Sequence, residues 1–351
     1  MYKVTIQQIL EQYKESKPVS SLTKALQNKN GRIQLRGLIG SADAIVAVSS
    51  YNLQQRPFIF VLPDYEEAAF FLSDLEGLLD RQVLFFPSSY RKPFDFTQAD
   101  SLHVLQRAET LNTVSHTSEV PKMIVTYPEA LAEKVINRNE LTKNTLEIFE
   151  NAKLDIDFIN EFLIEYDFER VDFVFEPGQF AIRGGIVDIF SFSNDLPYRV
   201  EFFGDLVESI RTFDTENQLS VNKIHTVTIV PNVQAKFLTE NNISLLEFIN
   251  SDAVIWIKDV QFTLDIIEKG YKDATKLWAA LSSVNKERNP DWIDPKFSFS
   301  DNKILANMLQ DFPVVEFGKQ FFYNADHQIS FDYRPQPSFN KDFNLLIHNI
   351  K

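Results

Sequence analysis

The sequence predicts a mixed α/β protein in which one largely parallel sheet, formed by two chain segments, is interrupted by a small antiparallel α+β domain. Three observations predict this fold. Short apolar strands alternate with helices early in the chain, the middle changes to period-two strands with glycine turns, and the first pattern then returns. The predicted units are residues 1–135, an inserted unit at 136–233, and 234–351, which completes the first sheet.

Composition limits the classes of protein to consider. The 351 residues exceed what one hydrophobic core usually organises, and 44% of them are hydrophobic, which is typical of globular chains. The net charge of -14 argues against a surface built for nonspecific duplex DNA binding, which requires clustered Lys and Arg. The chain has no cysteine, so disulfides and thiolate chemistry are excluded. No apolar stretch reaches the roughly 20 residues of a membrane span, and we expect a cytoplasmic protein.

In the first segment, helical spacing of apolar residues alternates with short apolar runs, which predicts parallel strands covered by helices. Pro128 suits the first turn of the last helix. The predicted helices are 4–14, 21–28, 42–53, 64–79, 101–111 and 128–135, and the predicted strands are 33–38, 58–62, 83–86 and 123–126.

The middle segment begins with a polar link near 137–144 and one helix, and then alternates with period two. Pro177-Gly178 suits a type II turn, and Gly204-Asp205 suits a two-residue hairpin. The predicted elements are a helix at 156–167 and strands at 171–175, 179–182, 186–191, 198–203, 207–213 and 224–230. The last segment is predicted to form strands at 253–258, 314–317 and 329–333, helices at 260–282 and 300–309, and a final helical pattern at 344–350, after which the sequence stops without a cap, as in a piece of a longer chain.

The loop after the first strand lies where a phosphate-binding loop belongs, so its residues indicate whether this chain could bind and hydrolyse a nucleotide. Gly37 holds the first glycine position of a P-loop and Gly40 follows within the loop. Ala42 stands at the second glycine position, Asp43 at the lysine position and Ala44 at the hydroxyl position. A carboxylate in place of the cation repels a triphosphate, so we expect a degenerate P-loop-NTPase-like unit that is not an enzyme and holds no cofactor.

No other constellation of catalytic or metal-ligating residues is evident. The five histidines stand singly, with no pair at metal-ligand spacing, so no metal site is predicted. The sequence also lacks a Gly-x-Ser-x-Gly elbow and a dinucleotide-binding glycine fingerprint.

Arginines in the middle segment offer a candidate docking surface. Alternation in 180–183 places Phe180 and Ile182 inward, with Ala181 and Arg183 outward. Arg170 lies near Arg183 if the preceding helix packs beside this strand, and arginines beside an exposed aromatic side chain are frequent interface hot spots. Alternatively, Arg183 pairs with an acid such as Glu201, a surface ion pair worth about 0–1 kcal/mol. The residues alone leave both interpretations open.

Four runs in this segment resemble a known family. They are EPGQF at 176–180, RGGIVDIF at 183–190, PYRVEFFGD at 197–205 and ESIRTFD at 208–214. They resemble the N-terminal module of the bacterial transcription-repair coupling factors, the Mfd family, which is itself similar to the repair protein UvrB. The likeness continues more weakly through 63–64, 86–87, 93–95 and 126–128, and in the last third it includes little beyond 334–337.

The resemblance implies domains 1a, 2 and 1b at the boundaries given above, with domain 2 binding UvrA. Carried over by position, the contacts would be Arg170, Arg183 and Phe190, with both arginines exposed, close together and on one face. UvrB has a further arginine where this chain has Ala181, and the segment 88–100 is too short for the aromatic hairpin that UvrB inserts into DNA.

The family also implies a role in transcription-coupled nucleotide excision repair, in which this module recruits UvrA to stalled RNA polymerase. RNA polymerase binding and an ATP- and Mg-dependent DNA translocase belong to downstream domains, and a C-terminal domain masks domain 2. Two alternatives to recruitment are a nucleotide-hydrolysing, helicase-like unit using the same α/β sheet, and a weak DNA contact. No membrane partner is expected.

Overall fold

The computed structural model describes residues 5–333, together with residues 343 and 347. Within 5–333 the description omits residues 55, 82, 93, 96–99, 116–121, 233–240, 250–251 and 282–293. The predicted boundary at 233/234 and the 334–337 stretch lie outside the described residues, as does the predicted final helix apart from Ile347. Among the described helices, none is long and apolar enough to cross a membrane.

The first segment alternates helices and strands as its apolar spacing predicts. Ser16 caps the second helix, with Pro18 in its first turn, and Asp64 caps the fourth. The helices are α1 (Ile6–Glu15), α2 (Lys17–Ala25), α3 (Ala42–Gln54), α4 (Tyr65–Leu79), α5 (Ser101–Ser115), α6 (Pro128–Ala132) and α7 (Arg138–Lys143), and the strands are β1 (Arg32–Arg36), β2 (Phe58–Val61), β3 (Leu84–Phe85) and β4 (Met123–Thr126).

The middle of the chain forms a six-stranded sheet, one helix and a two-stranded ribbon. The sheet order is β11-β10-β9-β8-β7-β6, and the ribbon pairs β12 with β5. The elements are β5 (Leu146–Phe149), α8 (Ile156–Glu165), β6 (Glu169–Arg170), β7 (Gln179–Arg183), β8 (Ile186–Ile189), β9 (Tyr198–Phe203), β10 (Leu206–Phe213), β11 (Ser220–Ile224) and β12 (Thr226–Ile229).

The last third returns to α/β structure and completes the large sheet. This sheet has the order β15-β1-β14-β13-β2-β4-β3, and every pairing in it is parallel. The elements are α9 (Leu245–Phe248), β13 (Val254–Ile257), α10 (Val260–Ala280), α11 (Pro295–Ser298), α12 (Asn302–Met308), a 3-10 turn (Leu309–Asp311), β14 (Val314–Phe317) and β15 (His327–Ser330).

Strands from both ends of the chain therefore interleave in one core. Arg32 is in register with Val314, and Trp256 is in register with Phe60. Trp256, Phe58 and Phe60 are fully buried, and their rings lie within about 6 Å of one another. The predicted fold class, a largely parallel sheet formed by two segments with an antiparallel insertion, is confirmed.

The inserted sheet is bounded by the predicted glycine turns. Gly178 has a φ of +87°, and Gln179 donates its backbone N–H to the Glu176 carbonyl at 3.2 Å, as in a type II turn. Gly204 opens the hairpin between β9 and β10 with a φ of +60°. Both predicted turns are confirmed: the first leads into β7, and the second joins β9 to β10.

The structure corrects several predicted elements. Residues 171–175 form a loop instead of a strand, because the chain leaves the sheet edge after Arg170 and folds over one sheet face. The strand predicted at 224–230 is β12, which lies in the ribbon, and β11, which precedes it in the six-stranded sheet, was not predicted. The polar link at 137–144 contains α7, and the ribbon strand β5 was not predicted.

Alanine at Gly178 should destabilise the inserted domain. The added Cβ would lie 2.5 Å from Phe192 Cζ, in a backbone conformation that L-residues disfavour. We expect Gly178→Ala to lower the free energy of unfolding by about 1–3 kcal/mol, measured by urea denaturation. Gly77→Ala is the matched control, because Gly77 lies in α4 with open space around it and should stabilise by about 0.5–1 kcal/mol. Equal effects would contradict this account of the turn.

Candidate partner-binding surface

Arg170 and Arg183 lie on two neighbouring strands at one edge of the inserted sheet. The edge strand β6 is two residues long and pairs in parallel with β7, with Arg170 opposite Phe180. Val171 donates its backbone N–H to the Phe180 carbonyl at 2.9 Å, and there the pairing ends. The end of β7 that bears Arg183 is therefore not covered by β6, and both arginines are exposed.

The two arginines point to opposite faces of this sheet. Partners in register on parallel strands share a face, so Arg170 lies on the face of Phe180, where α8 packs. Arg183 is three residues beyond Phe180 in β7 and lies on the other face. The expectation that the two arginines share one face is wrong. Arg170 would lie on the face of Arg183 only if it paired with Ala181, one residue further along β7 than its actual partner Phe180.

Arg183 is anchored on a buried carboxylate. Its guanidinium forms an ion pair and hydrogen bond with Asp188 Oδ2, and the same carboxylate binds Arg199 at 2.7 and 2.9 Å. The Asp188 side chain is fully buried, Arg199 is 16% exposed and Arg183 is 37% exposed. Two cations share one anion, so the cluster carries one excess positive charge that reaches solvent mainly at Arg183.

Arg183 does pair with a neighbouring acid, as the alternative interpretation expects, but that acid is Asp188 and not Glu201. Glu201 lies 2.9 Å from Arg211 and accepts a hydrogen bond from Ser209 at 2.5 Å. Hydrogen bonding to Asp188, opposed in part by burial, raises the pKa of Arg199 above its ordinary value. Arg199 therefore stays charged and shares Asp188 with Arg183.

The loop at 171–176 covers the sheet face that carries Arg183. Val174 is its fully buried anchor, and Arg183 Nη1 donates to the Asp172 carbonyl at 2.7 Å. Phe173 lies beneath the guanidinium, with 5.4 Å from the Arg183 Cζ to the ring centroid. Phe173 is 53% exposed and Phe175 is 57% exposed. These are the aromatic side chains that the surface around Arg183 presents.

Phe190, predicted as the aromatic contact, is buried. It is 6% exposed and packs with Val174, Ala181 and Phe213 under the loop. Ala181, predicted to point to solvent, is 1% exposed in the same cluster. The outward orientation expected of Ala181 is wrong, and Phe190 offers little surface to a partner, for one reason. Alternation identifies two faces of a strand, and here both faces are covered, one by α8 and the other by the loop.

The degenerate phosphate loop lines a cleft of about 490 Å³ at the carboxyl ends of the large sheet. Gly37 and Gly40 have positive φ, and Ala42, Asp43 and Ala44 form the first turn of α3. Burial raises the pKa of Asp43, with Lys258 acting in the opposite direction. The cleft also holds Glu67, Asp74 and Lys319, and Lys258 is paired with Glu67 at 2.6 Å.

Within the described part of the chain, no group of three or more His, Asp or Glu side chains is arranged to hold a metal ion. Sequence reasoning identified Arg183 and missed Asp188, Phe173 and Phe175. The acid at Asp188 gave no signal of burial, since it alternates with Val187 and Ile189 like an outward residue.

Residues 146–234 match the family model of the UvrB interaction domain. The matched residues include the inserted sheet and the surface around Arg183, so this part of the chain is similar to UvrB interaction domains.

More than half of the chain is similar to bacterial transcription-repair-coupling factors. It is 28% identical over 250 residues to that of Bacillus subtilis (strain 168), which covers 71% of this chain and 21% of the relative. The values are 29% over 207 residues for Myxococcus xanthus (57% and 17%) and 25% over 223 residues for Escherichia coli K12 (63% and 18%). The chain thus spans about a fifth of the length of these relatives, and the resemblance seen in the sequence is confirmed.

Replacing Asp188 should destabilise the inserted domain more than replacing a surface acid. Asp188→Asn leaves two guanidinium groups without their shared anion, and we expect a loss of about 3 kcal/mol in the free energy of unfolding. Glu201→Gln is the control, because Glu201 and Arg211 are both partly exposed and their pair contributes about 1 kcal/mol or less. Urea denaturation followed by circular dichroism measures both, and a smaller loss for Asp188→Asn would contradict the anchoring role.

Proposed function

We propose that this chain is the N-terminal, UvrB-like module of a transcription-repair coupling factor and that it recruits UvrA to stalled RNA polymerase in transcription-coupled nucleotide excision repair. UvrA binds the inserted domain in this proposal. The match of residues 146–234 to the UvrB interaction domain supports the site, and the similarity to coupling factors supports the context.

The observation that carries the proposal is that Arg183 is held in a fixed position and still exposed to solvent. Its side chain is held by Asp188 and the Asp172 carbonyl while more than a third of it stays exposed. A guanidinium has five N–H donors, and these two bonds use two of them. The others can meet a carboxylate of a partner without reorganisation of the side chain, which lowers the entropic cost of binding.

Arg170 is a second proposed contact, in a different position from Arg183. Because it lies on the α8 face, a partner that touches both arginines must extend around the β6 edge of the sheet. The two contacts then share no neighbour, and their contributions to binding should be additive.

The α/β part of the chain serves in this proposal as a frame without catalytic activity or bound cofactor. Asp43 stands in the cleft where a P-loop places a cation, and the hydroxyl ligand for Mg²⁺ is replaced by Ala44. ATP and Mg²⁺ use, RNA polymerase binding, DNA translocation and masking by a C-terminal domain are proposed for other parts of a full-length coupling factor.

Removing the cation at Arg183 should weaken UvrA binding. Arg183→Gln keeps a donor for Asp188 and avoids placing a second acid beside it, unlike charge reversal. We expect Kd for purified UvrA to rise about 30-fold, the size of an interface hot spot, measured by calorimetry. Arg170→Gln should weaken binding by its own factor, and the double variant should show the product of the two.

Lys276→Gln controls for loss of a surface cation, since Lys276 is 79% exposed on α10 in the other unit. It should bind UvrA like the parent chain. Unchanged UvrA affinity in Arg183→Gln, with the fold intact by circular dichroism, would overturn the proposal.

The alternative of a nucleotide-hydrolysing unit predicts ATP binding in the cleft. We expect no binding heat with Mg-ATP at concentrations on the order of 1 mM, because Asp43 and Asp74 add negative charge where phosphates would lie. Asp43→Asn serves as the comparison, since it removes one of these charges. Saturable heat with the parent chain would instead support the enzyme.

A further inference from the structure

Two exposed phenylalanines stand close to the anchored arginine, on a loop that is itself fixed. Besides the buried Val174, the Gln179 side-chain carbonyl accepts the backbone N–H groups of Phe175 and Glu176 at 3.0 and 3.1 Å. Arg183 binds the same loop at Asp172. The backbone between Asp172 and Glu176 is therefore held from both of its ends and from its middle.

A fixed loop with half-exposed aromatic rings is a costly arrangement for an isolated domain. Burying the rings would stabilise the chain, yet the loop instead uses Val174 to fill the space over Ala181 and Phe213. Exposed apolar groups beside an arginine, at a site already ordered, have the composition of an interface hot spot.

The charges around the loop restrict the kind of partner. The Asp188 cluster carries one excess positive charge, which emerges at Arg183. Asp172 and Glu176 are exposed on the same loop. Their carboxylates repel an extended polyanion such as a nucleic acid backbone. A single carboxylate set in apolar protein surface pairs with Arg183 and is repelled less than a polyanion, because it brings one negative charge near these two acids instead of many.

We infer that Phe173 and Phe175, with Arg183, form one preassembled contact unit that receives an apolar protein patch bearing one carboxylate, and that Asp188 is the positioning residue of this unit. The inference rests on the proposed function, since UvrA is the protein that supplies this patch. The aromatic contacts of the surface are thus Phe173 and Phe175, in place of the buried Phe190.

A double-mutant cycle on UvrA binding tests whether Phe173 and Arg183 act together. We expect Phe173→Ala to raise Kd at least tenfold and Phe175→Ala to raise it severalfold, because each removes an exposed anchor. The double variant Phe173→Ala/Arg183→Gln should bind no more than about threefold more weakly than Arg183→Gln, since residues in contact are not additive. Phe203→Ala is the matched control, as Phe203 is 79% exposed at the β9–β10 hairpin, and it should leave Kd unchanged.

The role of Asp188 has its own readout. In the free chain, the Arg183 Nη2–H group that donates to Asp188 should give a distinct, protected NMR signal, and Asp188→Asn should move it to the solvent-averaged position. If Asp188 only stabilised the fold, Asp188→Asn would leave this signal unchanged in the molecules that remain folded.

The outcomes separate the inference from the proposed function. Loss of binding in Arg183→Gln with full binding in Phe173→Ala and Phe175→Ala overturns the inference alone. Full binding in Arg183→Gln overturns the proposed function. A Phe173→Ala effect that multiplies fully with that of Arg183→Gln overturns the shared unit. Binding of duplex DNA by the parent chain that Phe173→Ala weakens would also overturn the inference, because the occupant would then be a nucleic acid.

Discussion

The large sheet depends on strands from the last third of the chain. β13 and β14 lie side by side between β1 and β2, so the first and second strands in sequence do not touch within the sheet. β1 has β14 and β15 as its two neighbours, both contributed by the last third. The first segment therefore has no continuous sheet of its own, and the parts flanking the insertion must be present together. This constraint makes the middle unit an insertion and not one domain in a linear series.

The middle unit has a different organisation, in which local pairing and a buried charge replace long-range parallel contacts. Its strands meander through tight turns, and each strand from β7 to β10 pairs with the one that follows it. The central charge, Asp188, has no exposed surface and is neutralised by two arginines on adjoining strands. Burying an ion this way adds little net stability but fixes the geometry around it. Arg183 consequently has a defined position, although it stands at the surface.

Much of the fold could be predicted from sequence, and the reasons for the failures are local. Fully buried strands such as β2 and β13 appear in the sequence as short runs of apolar residues between polar or turn-forming residues, and such runs can be recognised directly. The loop at 171–175 carries the same alternation, yet it leaves the sheet. Nothing in its residues reveals that β6 stops after Arg170.

The site was harder to predict for a related physical reason. Strand pairing determines which face a residue occupies, and a displacement of one residue exchanges the faces. Arg170 and Arg183 were therefore assigned to one face without knowledge of the parallel register at the edge. Likewise, Phe190 is aromatic and lies within the matching motif, but its exposure depends on a loop that packs across it. The exposure expected of Arg183 is confirmed, because a cation at the end of β7 stays at the surface in either arrangement.

The interleaved sheet also has a consequence for the order in which the chain acquires structure during synthesis. The pairs of the inserted sheet join residues from 169 to 224, so this unit has all its strands while the last third is still being made. β1, in contrast, must wait until Phe317 has left the ribosome before its central neighbour exists. Contacts of such long separation form slowly because the intervening chain must first be closed into a loop. The nascent chain thus carries a finished middle and an unfinished frame, in which β1 and the apolar β2 lack their neighbours β14 and β13 until the last third has been translated.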